Sequence, residues 1–153
     1  MRNKKGFTLI ELLVVIAIIG LLATIAVVAL NSARTSSRDA KRIADIRQVQ
    51  TGLELYFNSA TKYPDCTAAT RISAVDGCTA TGILTYIAGI DNIFDPSGTA
   101  TATICTTGAT APCDYSYIDS GTNQNDYTML FRLEGASGSL AAGVHTATSA
   151  GIQ

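Results

Sequence analysis

One segment constrains this chain more than any other: the run FTLIELLVVIAIIGLLATIAVVAL from Phe7 to Leu30. Only Thr8, Glu11 and Thr24 in it are polar, and no proline interrupts it. The uncharged stretch Leu12 to Leu30 is 19 residues long. As a helix it reaches roughly 28 Å, close to the hydrocarbon thickness of a bilayer. A helix on a soluble core shows a polar outer face, and this stretch has only Thr24. Arg2, Lys4 and Lys5 precede it, so the basic end stays cytoplasmic and the remainder is sent across the membrane.

The chain has 153 residues, 47% of them hydrophobic, with a net charge of −1. Those averages suggest one slightly apolar globular domain, yet much of the apolar content sits in a single segment. A cleavable secretory signal has a basic start but a shorter apolar region and a small-residue cleavage site; none is evident before Asn31. A plain signal anchor fits the hydropathy and leaves Glu11 unexplained. An acid in that environment costs a few kcal/mol unless it is interfacial, protonated or paired.

The residues Lys4-Lys5-Gly6-Phe7-Thr8-Leu9-Ile10-Glu11-Leu12 resemble the prepilin signal of type IV pilins and type II secretion pseudopilins. The resemblance implies cleavage between Gly6 and Phe7 by a membrane aspartyl peptidase, then N-methylation of Phe7. It implies that Glu11, with Thr8 beside it, sets subunit register by pairing with the terminal amine of a neighbouring subunit. It also implies a structural subunit rather than an enzyme. Its partners are then copies of itself, related minor pilins or pseudopilins, the prepilin peptidase, a platform protein and an assembly ATPase. Its location is the inner membrane in a single pass, then a periplasmic or extracellular filament. Gly20 matches a glycine common in this helix, whereas Val28 stands where the family often has proline.

Beyond the anchor, Ile43, Ile46, Val49, Leu53, Tyr56, Phe57 and Ala60 recur at three- and four-residue steps, an amphipathic helical pattern. One helix over about 7–59 is expected, roughly 80 Å long. Gly52 in its middle costs up to about 1 kcal/mol against Ala and marks a close approach or a bend. Arg34, Arg38, Lys41, Arg42 and Arg47 form a basic collar, read as a solvated or packing face interspersed with Asp39 and Asp45. Residues 7–153 carry 12 acidic and 8 basic side chains, the latter being the 11 of the whole chain less Arg2, Lys4 and Lys5. That net of −4 disfavours nucleic acid as a partner.

Tyr63-Pro64-Asp65 ends the helix. Asp95-Pro96-Ser97-Gly98 reads as a turn. Thr99–Cys105, Tyr115–Ile118 and Tyr127–Leu133 read as strands, and 135–153 as a loosely held tail. The expected fold is α+β: a long helix packed on a three- to four-stranded antiparallel sheet. The segments are 1–6 leader, 7–30 membrane or filament core, 31–60 amphipathic helix and 61–153 globular β region.

All four cysteines follow the anchor. Their spacing favours disulfides Cys66–Cys78 and Cys105–Cys113, each closing a short loop. Zinc is disfavoured, because no C-x-x-C occurs and the only histidine is His145. No phosphate loop, H-E-x-x-H or G-x-S-x-G is present, and no cofactor is expected. Asp119, Asn123, Asn125 and Asp126 offer oxygen ligands of the kind calcium takes; hairpin-turn chemistry accounts for the same residues.

Overall fold

In a computed structural model of the chain, the described residues are 6–66, 68–78, 82–97, 103–119 and 125–153. They divide into two compact units, one ending at Thr35 and one running from Ser36 to Gln153. A single helix, α1 (Leu9–Ala60), begins in the first unit and continues into the second.

In the first unit the apolar side chains of α1 are exposed, among them Ile16 at 61% and Leu21 at 64%. The helix is long and apolar enough to cross a membrane. In the second unit the helix is one-sided. Ile46, Val49, Leu53 and Tyr56 are buried, while Ile43, Phe57 and Ala60 pack at the edge of the core. The buried stripe continues upstream through charged residues, Asp39 and Arg42. The basic collar is therefore not a uniformly solvated face: Arg42 is 2% exposed. The helix ends where Thr61 turns left-handed, at φ 59°, with its N–H donating to the Phe57 carbonyl at 2.7 Å.

The sheet has five antiparallel strands in chain order: β1 (Thr70–Arg71), β2 (Ser116–Asp119), β3 (Tyr127–Leu133), β4 (Gly143–Thr148) and β5 (Gly151–Ile152). The α+β arrangement of long helix and antiparallel sheet is the expected one, with two-residue strands added at both edges. β3 alternates strictly, burying Tyr127, Met129, Phe131 and Leu133. Its neighbours place Tyr117 beside Met129 and Ala147 beside Met129 on the other side. Together with the helix stripe these residues form the core.

The segment 135–153 is not a loose tail. It supplies β4 and β5, pairing Phe131 with His145 and Ala147 with Ile152. Its inward positions include Gly143 and Ala147 beside His145 and Ile152, so the apolar alternation is faint in the sequence. His145 is likewise held: its ring nitrogens lie 2.7 and 3.1 Å from the carbonyl oxygens of Ala141 and Gln153. The expected strand over Thr99–Cys105 falls mostly on 98–102, outside the described residues; Ile104 forms one bridge with Asp114.

Between α1 and the sheet, Ile72–Gly77, Ile83–Thr85 and Ile90–Asn92 form short 3₁₀ turns that bury Ile72, Val75, Ile83 and Ile90. Tyr86 and Ile87, just after the second of these turns, pack on Gly52, where an added Cβ would lie 2.1 Å from Ile87 Cγ1 and 3.2 Å from the Tyr86 carbonyl. The glycine serves close approach. Cys66 is bonded to Cys78 and Cys105 to Cys113. Short-loop disulfides of this kind contribute about 2–4 kcal/mol each.

Candidate functional site

The N-terminal residues singled out in the sequence lie together. Gly6 and Phe7 are exposed and precede the helix, with Phe7 83% accessible. The peptide bond between them is therefore outside α1. Thr8 occupies the N-cap position and Glu11 lies three residues on. The Glu11 backbone N–H donates to Thr8 Oγ1 at 3.3 Å. The Glu11 carboxylate accepts the Thr8 N–H at 2.8 Å and its hydroxyl at 2.7 Å.

This is a reciprocal capping box. It satisfies donors that a helix N-terminus leaves free and places a negative charge at the positive end of the helix dipole. The local bond is legible from the threonine and glutamate spacing alone. Phe7, Ile10, Val14 and Val15 frame the acid with an apolar surface. The one carboxylate of this helix face thus stands among hydrocarbon, held by the threonine ahead of it. Such a group attracts a hydrogen-bonding cation where water is excluded.

A second cluster of charge lies in the second unit. Arg42 donates to Asp39 at 2.7 Å and to both Asp95 oxygens at 2.6 and 2.8 Å. It also lies 2.7 Å from Glu134. Arg38 Nε donates to Glu134 at 2.8 Å. Asp39 in turn accepts the backbone N–H groups of Glu134 and Gly135, at 2.9 and 2.8 Å. Burial opposes the charge on Arg42, and the surrounding carboxylates more than offset it. The Arg38 guanidinium, with Arg42 also bonded, holds the Glu134 carboxyl at about 2 against partial burial. Burial alone raises Asp95; the bonds from Arg42 and Ser97 bring it below its ordinary value.

The cluster ties α1 to the Asp-Pro turn and to the end of β3. Sequence reading finds no sign of it, because Arg42 and Asp95 are 53 residues apart. Its chemistry is structural: every carboxylate in it is turned toward an arginine or a backbone N–H.

Of the calcium candidates, Asp119 and Asp126 lie at the facing ends of β2 and β3, where Asp119 pairs with Tyr127. Asp119 ends β2, and Asn125 is exposed. Asp126 accepts backbone N–H groups from Tyr127 at 2.8 Å and Ser149 at 3.2 Å. Asn123 lies outside the described residues. Among the described residues no group of three or more His, Cys, Asp or Glu is placed to hold a metal.

Residues 1–27 match the family model described as the prokaryotic N-terminal methylation motif. The type II secretion system core protein G of Dickeya chrysanthemi is 35% identical over 63 residues, 41% of each chain. A fimbrial protein of Dichelobacter nodosus is 40% identical over 99 residues, covering 63% of this chain and 59% of the relative. The type IV wide pilus major component of Thermus thermophilus is 43% identical over 65 residues, 42% of this chain and 41% of the relative. The chain thus spans between 41% and 59% of the length of these relatives. No solved structure matches. With its methylation motif, the long apolar helix behind it and the sheet beyond, the chain is similar to type IV pilins and type II secretion pseudopilins.

Proposed function

We propose that this chain is a structural subunit of a type IV pilus or a type II secretion pseudopilus. It enters the inner membrane in a single pass, with residues 1–6 as a cytoplasmic leader and 7–30 as the anchor. Cleavage follows Gly6, Phe7 is methylated, and subunits polymerise as their apolar helices exchange lipid contacts for one another. Residues 31–60 and 61–153 form the exported part, and the filament ends in the periplasm or outside the cell. A prepilin peptidase, a platform protein, an assembly ATPase and related minor subunits are the partners. Glu11 sets axial register by pairing with the Phe7 amine of the next subunit, because an unpaired carboxylate in an apolar core is expensive.

The observation that carries this reading is the N-terminus itself. An exposed Gly6–Phe7 bond leads into a capped helix whose apolar side chains are all exposed from Leu9 to Leu30, with one acid among them. Such a surface needs lipid or other helices to cover it. The test is co-expression with a prepilin peptidase, intact-mass measurement, and cross-linking through cysteines placed near Phe7 and Glu11. The expected result is a chain beginning at methylated Phe7 and a ladder of cross-linked multimers, weakened or shifted in register by Glu11→Ala. A processed chain giving only monomers would refute polymerisation; an unchanged ladder in Glu11→Ala would refute the register role.

The alternatives are a non-polymerising membrane-anchored envelope protein, which the cross-linking ladder tests, and a minor or competence pilin that binds DNA or a surface. The DNA-binding form is weakened by the engagement of Arg38 and Arg42 in internal ion pairs. That leaves the collar with fewer charges to offer phosphates.

A further inference from the structure

The two disulfides close loops of similar size but stand in different surroundings. Cys105 and Cys113 are 1% and 3% exposed. Cys105 is held inside a small knot of backbone bonds: its N–H donates to the Asp114 carbonyl at 2.8 Å, and its carbonyl accepts the Ser116 hydroxyl at 2.8 Å. A thiol reaches that bond only when these contacts open. Cys66 is 3% exposed, as buried as Cys113, whereas Cys78 is half-buried at the margin of the core and is the accessible sulfur of its pair. Both Cys66 and Cys78 line an open depression of about 400 Å³, with Asp65, Ala69, Thr70 and Gly77 around them. Thiol–disulfide exchange requires a nucleophilic sulfur to reach one sulfur of the bond, so access sets its rate when the attacking thiol is held constant.

We propose that Cys66–Cys78 is a site of thiol–disulfide exchange, open in the folded protein to a dithiol reductant or a dithiol oxidoreductase, while Cys105–Cys113 is closed to both. The attacking thiolate bonds to Cys78 Sγ, and the pair of the broken S–S bond leaves on Cys66 Sγ, which takes a proton. The second thiol of the reductant then attacks the mixed disulfide and releases Cys78 as a thiol. The protein gains two thiols, and the dithiol becomes a disulfide.

The exchange has a confined structural effect. The bond joins the chain just after α1 to the end of the Ile72–Gly77 turn. The chain around the bond keeps other ties. Tyr117 donates its hydroxyl to the Pro64 carbonyl at 2.9 Å, and Ile72 N–H donates to the Tyr115 carbonyl at 3.2 Å. Ile72 and Val75 are 0% and 1% exposed, and β1 pairs with β2. Reduction thus loosens one margin of the second unit and leaves the helix–sheet core in place.

The experiment is partial reduction of the full oxidised chain in detergent with limiting dithiothreitol. Alkylation quenches it, and peptide mapping reads each cysteine. Cys66 and Cys78 should be alkylated at least about tenfold faster than Cys105 and Cys113, which must await local opening. In concentrated urea the difference should vanish, since it arises from the fold. Parallel labelling of all four cysteines in the native chain would overturn the proposal, as would earlier labelling of Cys105 and Cys113. An inequality that persists in urea would also overturn it, because local sequence would then be its cause.

Discussion

Replacing Arg42 with methionine tests whether the charged cluster holds the second unit together. The methionine keeps most of the apolar stem and removes the guanidinium. Asp39 and Asp95, whose side chains are each 2% exposed, then lose their shared counter-charge. Asp39 keeps the N–H bonds from Glu134 and Gly135, and Asp95 keeps that from Ser97 at 2.8 Å. Glu134 keeps Arg38. The exposed part of the network therefore survives, and the loss falls on the buried pair. Removing one partner of a buried ion pair costs about 3–5 kcal/mol. A unit of this size has a total stability of about 5–15 kcal/mol, so the loss is a large fraction of it. The assay is denaturant unfolding of the full chain in detergent, followed by tyrosine circular dichroism, since the chain has no tryptophan. Arg47→Met, at an exposed position of the same helix, serves as the control and should change stability by no more than about 0.5 kcal/mol. Adding Asp95→Asn to Arg42→Met should recover part of the loss by removing one stranded charge. The reasoning fails if Arg42→Met costs no more than Arg47→Met, or if the second substitution deepens the loss.

Other perturbations read other parts of the structure. Gly52→Ala should destabilise the second unit by about 1–3 kcal/mol in the same unfolding assay, because overpacking against Ile87 outweighs the roughly 1 kcal/mol gain in helix propensity. Thr61→Gly should stabilise it by about 0.5–1 kcal/mol, since a β-branched residue is strained at a positive φ that glycine adopts freely; a melting temperature at or below that of the parent would contradict this. Glu134, held at about 2 by Arg38 and Arg42, has a folded value below its unfolded one. Its contribution is present above the ordinary carboxylate range, near 4.3, and is lost as pH falls from there toward 2. Unfolding measured across that window should show stability declining with acid, and Glu134→Gln should flatten the decline.

The parts of this fold that are legible in the sequence are those written in large apolar residues. Val49, Leu53 and Tyr56 mark the buried face of α1 by spacing alone, and Tyr127-Thr128-Met129-Leu130-Phe131-Arg132-Leu133 alternates with the pleat of β3. β4 is not legible in that way. Its inward positions include Gly143 and Ala147, too small to signal burial, and β3 supplies most of the apolar surface there. The capping box is legible, because it depends on two residues three apart. The Arg42 cluster is not, because it depends on Asp95 and Glu134 reaching one guanidinium across the fold. An arginine at a buried helical position looks like any solvated cation until its acids are in place. Gly52 is an intermediate case: a mid-helix glycine signals close approach, and only the fold names Ile87 as what approaches.

The charge cluster also bears on how such a chain leaves the cytoplasm. In the proposed orientation Arg34, Arg38, Lys41, Arg42 and Arg47 follow the anchor directly, on the side where cations are disfavoured during insertion. Moving each outward against a membrane potential costs about 2.3 kcal/mol per 100 mV. Two of them, Arg38 and Arg42, meet carboxylates that arrive later in the chain, Asp95 and Glu134. Until those residues have crossed, the collar can slide back; once they have crossed and folded, retreat requires breaking a buried ion network. In that proposed orientation, folding on the far side would act as a pawl on translocation, driven by the same contacts that stabilise the finished unit.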